Sequence, residues 1–163
     1  MNANLVEKNM NIGIADFYSK EERSLYLRRI ALAAEGGPTA AIIMLFPSDT
    51  KGIDTTCQKC INNGYRLGLS SLSILNIFCR NEHNSPSTDK INNSVILQEA
   101  EQCDQVILAF GSGNTYTDRK DEILKLLAHQ SEKLYTLKSS KGTLFSHPLS
   151  PFCKEWEIVK VER

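Results

Sequence analysis

The segment Ala40-Ala41-Ile42-Ile43-Met44-Leu45-Phe46 is apolar throughout and stops abruptly at Pro47-Ser48-Asp49. An apolar run of this length, bounded by Pro and small polar residues, reads as a strand buried on both faces. Such a strand needs a layer above it and a layer below it, which restricts the chain to a layered α/β architecture. In open sheets of that kind, ligands bind at the carboxyl ends of the strands. The Phe46-Pro47-Ser48-Asp49 turn therefore marks a candidate site.

The rest of the chain supplies similar segments. Residues 72–78, 105–110 and 133–137 read as further strands beside the one at 40–46. Helical patterns separate them. Asp54-Thr55-Thr56 can cap a helix running to about Gly64, with Cys57, Cys60 and Ile61 at helical spacing. A second helix spans about 92–102, after a polar loop from Asn81 to Thr88, and a third, amphipathic one spans 118–131. Residues 24–32 suit either an edge strand or a short helix, residues 1–22 are polar and irregular, and Trp156 to Val159 form a final apolar segment. The expectation is a single three-layer α/β domain over residues 1–163, with a central, mostly parallel four-stranded sheet and helices on both faces.

Composition narrows the function. Lys plus Arg equals Asp plus Glu at 19 each, so the net charge is zero. Coating duplex nucleic acid needs a basic face, so a duplex partner is disfavoured and a small ligand favoured. No apolar run reaches the roughly 18–20 residues that cross a bilayer, and the N-terminal residues lack a signal-peptide core. Cytoplasmic residence without membrane association is the expectation. The five cysteines are an odd number, and Cys57-Gln58-Lys59-Cys60 has no second CxxC. No metal site or cofactor is assigned; Cys60 is expected to pack and Cys57 to be incidental.

Parallel connectivity would gather the strand ends on one rim. That rim holds Phe46, Pro47, Ser48 and Asp49; Asn76, Phe78 and Arg80; Gly111, Ser112 and Gly113; and Lys138 and His147. Gly111 and Gly113 permit close backbone approach and free amides for a phosphate. Arg80, Arg119 and Lys138 are cations suited to an anion. His147, in Ser-His-Pro, can bind a ligand oxygen or act as an acid. Asp54 reads more simply as a helix cap than as a catalytic acid.

Met44-Leu45-Phe46-Pro47-Ser48, Asp54-Thr55-Thr56, Cys60, Asn76-Ile77-Phe78, Phe110-Gly111, Gly142 and His147-Pro148-Leu149 occur in an order that resembles the DUF1643 family of bacterial and phage proteins. The order of pieces is also similar to the uracil-DNA glycosylase fold. That likeness implies a nucleobase near Phe46, Phe78 and Asn76, and a phosphate near Ser112 and His147. One position departs from both patterns. Where the glycosylases place a water-orienting Asp or Asn, and the DUF1643 pattern an Asn, this chain has Phe46. Phenylalanine can neither orient water nor accept a proton, but it can stack on a base.

The expectation is a binder of a small nucleotide-derived ligand, with no catalytic residue assigned. The resemblance to phage proteins suggests a specific version: a sponge in a bacterial host cell that sequesters a nucleotide immune signal, such as a cyclic ADP-ribose isomer. Sponges of this kind often assemble as homo-oligomers. The alternative is a glycosylase-like hydrolase, in which Asp49, Asp54 or His147 would replace the missing group.

Overall fold

The computed structural model describes residues 13–19, 24–32, 34–47, 52–80 and 86–162. Within them the strands are β1 (Gly13–Ser19), β2 (Ser24–Ala31), β3 (Thr39–Met44), β4 (Ser71–Asn76), β5 (Gln105–Leu108), β6 (Leu134–Lys138) and β7 (Glu157–Lys160). The helices are α1 (Thr55–Arg66), α2 (Pro86–Gln102) and α3 (Thr117–Leu126). No helix among the described residues is long and apolar enough to cross a membrane.

The strands form one sheet in the order β1-β2-β4-β3-β5-β6-β7. β3 pairs parallel with β4 and β5, and β5 pairs parallel with β6. The other three pairings, β1 with β2, β2 with β4 and β6 with β7, are antiparallel. The sheet is thus mixed and seven-stranded, not a mostly parallel sheet of four. The four expected strands form its parallel centre. β1 and β2 extend one side and β7 the other.

β1 arises in a segment read as irregular, and it is exposed along nearly its whole length. Pairing with β2 defines it; apolar burial does not. β2 is a strand, but an interior one, buried on both faces. Its register against β1 skips Tyr26, so its inward residues do not keep strict alternation. α2 begins at Pro86, inside the expected loop. The expected helix over 118–131 divides into α3 and a 3-10 turn over Ala128–Lys133.

Three βαβ crossovers link the parallel strands. β4 lies on one side of β3, and β5 and β6 lie on the other. Right-handed crossovers then place α1 on one face of the sheet and α2 and α3 on the opposite face. The two cores agree. Ile42, Leu72 and Ile107 pack with Cys57, Cys60 and Ile61 of α1. Ile43, Leu75 and Leu108 pack with Ile96 of α2 and Ile123 of α3. Burying each such large side chain stabilises the fold by ~1.5–3 kcal/mol.

Asp54 caps α1, its Oδ1 accepting from the Cys57 amide at 2.8 Å. The helix continues past the expected end at Gly64, because that glycine serves packing: a Cβ there would lie 2.7 Å from Leu32 Cδ1. The C-terminal segment folds back over the same helix. The Trp156 amide donates to Asn63 Oδ1 at 2.9 Å, and Arg66 Nη2 donates to the Trp156 carbonyl at 2.7 Å. On the opposite face Glu99 of α2, only 4 % exposed, accepts from Arg29 and from Ser73 Oγ.

Candidate functional site

β3 and β5 are neighbours, yet the segments that follow them depart toward opposite faces of the sheet. That divergence opens a crevice at the carboxyl edge. On the α1 side it becomes a cavity of about 350 Å³. The sheet contributes Met44, Ile74, Asn76, Leu25 and Arg28 to its walls. Asp54, Thr56 and Cys57 come from the start of α1, Phe46 and Pro47 from the end of β3, and His147 and Leu149 from the segment after β6.

The walls are largely apolar, and each polar group has a distinct state. Asn76 is 4 % exposed, and its Oδ1 has no hydrogen-bond partner among the described residues. A buried polar atom without a partner costs stability, a state Asn76 Oδ1 shares with Asn92 Oδ1 and Trp156 Nε1. His147 Nδ1 accepts from the Leu149 amide at 3.1 Å. Burial, and then Lys59, push the His147 pKa below its ordinary value. The ring is therefore neutral near pH 7, with its remaining proton on Nε2.

Arg28 is 7 % exposed. Its Nε and Nη2 donate to the two carboxylate oxygens of Asp16 at 2.7 and 3.0 Å, and its Nη1 donates to the Gly52 carbonyl at 2.8 Å. The bidentate Asp16 contact holds the guanidinium protonated beyond its ordinary range. Cys57 lies beside it. Burial raises the Cys57 pKa, and hydrogen bonding to Arg28 pulls it part of the way back. Cys57 is thus not incidental: it packs in the α1 core and touches the buried cation.

Of the residues read from sequence, Phe46, Pro47, Asn76 and His147 meet in this cavity. Ser48 and Asp49 lie outside the described residues. Phe78 sits behind Phe46, their rings nearly parallel with centroids 5.1 Å apart. Tyr116 meets both rings edge-on. Arg80 is half-buried just past the end of β4 and does not line the cavity.

Gly111, Ser112 and Gly113 lead into α3 and are not part of the cavity lining. Gly111 needs its positive φ of +89° for the turn, but its amide donates to the Phe145 carbonyl at 2.8 Å. The Gly111 and Gly113 carbonyls both accept from Lys120 Nζ. The loop thus presents carbonyls to a buried lysine, and the Gly111 amide is already engaged. Lys138 pairs with Glu157 at 3.5 Å and lines a separate hollow. Arg119 is buried, donates to the Ile77 carbonyl at 2.8 Å and pairs with Glu122. The single rim expected from sequence is therefore divided between the two faces of the sheet.

Sequence reasoning missed Arg28, Leu25 and Thr56 in the cavity. An Arg28-Arg29 pair flanked by apolar residues was the available signal for Arg28, and the skipped register at Tyr26 obscured which of the two faces inward.

The family described as "Protein of unknown function (DUF1643)" matches residues 25–149. The chain belongs to the DUF1643 family. No curated protein and no solved structure matches it. Every residue lining the cavity falls within the DUF1643 span, with Leu25 and Leu149 at its two ends. β1, which carries Asp16, and β7 lie outside that span.

Proposed function

We propose that this DUF1643 protein is a non-catalytic binder of a small nucleotide-derived molecule, held at the carboxyl edge of the sheet. The observation that carries the reading is that Phe46, Asn76 and His147 line one largely apolar cavity. A planar ring with an N–H would satisfy Asn76. Stacking on Phe46 would add ~1–3 kcal/mol. The Nε2 proton of neutral His147 would meet a carbonyl of the same ligand. A volume of about 350 Å³ suits one base-sized group, with the remainder of the molecule at the mouth.

Such a site needs affinity alone, which suits a sponge for a nucleotide immune signal such as a cyclic ADP-ribose isomer. The parallel centre of the sheet and the position of the cavity support a uracil-DNA glycosylase-like arrangement. The hydrolase alternative has less in its favour. Phe46 stands where a polar group would act, and among the described residues the cavity carboxylate Asp54 is engaged in capping α1 and His147 Nδ1 is engaged by Leu149, Asp49 lying outside them.

Native mass spectrometry of protein purified from a lysate tests the proposal. A co-purified nucleotide lost in Asn76→Ala and Phe46→Ala supports it. A protein with no bound or bindable nucleotide, or one that releases uracil from labelled uracil-DNA, refutes it.

A further inference from the structure

The cavity contains a buried cation that is already occupied. Arg28 faces the space beside Asn76, yet both carboxylate oxygens of Asp16 hold its Nε and Nη2. Gly52 takes Nη1, and Cys57 lies against the same group. The other charges nearby, Asp54 on the wall and Lys59 beside His147, also offset one another. Among the described residues the charges around the cavity are therefore close to balanced, although an arginine lines it. Asp16 comes from the edge strand β1, and its side chain is one-third exposed. A bidentate carboxylate on a guanidinium occupies the same donor fork that a phosphate would use.

We propose that Asp16 is a specificity-determining residue: by engaging Arg28 from the edge strand, it reserves the cavity for an uncharged group and turns phosphate away. This deepens the ligand-binding reading and rests on it. The phosphates of a nucleotide ligand then lie outside the cavity, and only the ring end enters. Asparagine at position 16 would keep one acceptor for Arg28 but leave the guanidinium charge uncompensated. The variant would lose stability as the free protein and gain an anion site in the same place.

The test uses inorganic phosphate as the probe, at constant ionic strength against chloride. It is read by thermal melting and by the His147 ring-proton resonances, assigned with His147→Gln. The wild-type protein should respond to neither salt specifically. Asp16→Asn should bind phosphate at least tenfold more tightly than the wild type, with a raised melting temperature and shifted His147 resonances. A folded Asp16→Asn protein that responds like the wild type overturns the proposal. So does a wild-type protein that already binds phosphate and loses that binding in Arg28→Gln. If Asp16→Asn does not fold, Asp16→Ala is read in the same way, and the wild-type arm still decides whether phosphate is excluded. The nucleotide reading fails by a different result: no added nucleoside shifts the His147 resonances of the wild type.

Discussion

Asn92 sits on α2, on the face opposite the cavity, yet its Nδ2 donates to the carbonyls of Asn76 and Ile77 at 2.9 and 3.1 Å. It is fully buried. Arg119 Nε reaches the same Ile77 carbonyl from α3. The backbone that presents Asn76 to the cavity is thus held from behind. Asn92→Leu removes the donor and leaves the Asn76 carbonyl short of a partner, which should destabilise the fold by ~1–3 kcal/mol. Urea denaturation measures the loss, and a change below ~0.5 kcal/mol would contradict the clamp.

Phe46 is half-buried and packs on Phe78 and Tyr116. Truncation to Ala removes those ring contacts, each contributing ~0.5–1.5 kcal/mol beyond its area. The stability loss should therefore stay below the ~3–5 kcal/mol typical of a fully buried phenylalanine. Ligand affinity should fall by ~1–3 kcal/mol. Thermal melts with and without nucleotide separate the two effects. A full core-sized loss with unchanged affinity would assign Phe46 to packing alone.

Stability should decline at both ends of the pH scale. The folded pKa of His147 lies below its ordinary 6.5, so the unfolded chain binds the proton first. Stability from this group is complete above pH 6.5 and falls as pH drops toward the lower folded value. Protonation also removes the Nδ1 acceptor used by the Leu149 amide. The buried thiols act in the opposite sense: folded values raised above 9.0 make the unfolded chain ionise first, so stability falls as pH rises past 9.0. Melting across pH checks both limbs. The His147→Gln protein should show a shallower acid limb, and an unchanged one would assign that limb to other groups.

All five cysteines are free thiols and buried. Burial raises the pKa of each, so none is a ready thiolate near pH 8. A thiol-titrating aromatic disulfide should label none of them rapidly in the native protein and all five in denaturant. Cys57, on the cavity wall, should be the first to react, and bound nucleotide should slow it. Rapid native labelling of Cys60 would contradict the packing of α1.

What the chain encodes locally was legible before any tertiary contact was known. The segments beginning near Ala40, Leu72, Gln105 and Lys133 correspond to the four parallel central strands, and the first three are largely apolar because they are buried on both faces. Asp54 identified the start of α1, because its carboxylate meets an amide only three residues away. Asn76, Phe46 and His147 could be placed at strand ends by the same local reading. Contacts between distant segments decided the rest. β1 has almost no buried face to mark it, and it exists by pairing with β2 and through the Asp16–Arg28 ion pair. The Gly111–Gly113 loop resembled a phosphate cradle until Phe145, far along the chain, took the Gly111 amide. Whether Arg28 can receive an anion is likewise undecided by its neighbours in sequence, because its charge is balanced by a carboxylate on another strand. An acceptor or a charge carries no sequence mark of whether it is satisfied; only the fold brings, or withholds, its partner.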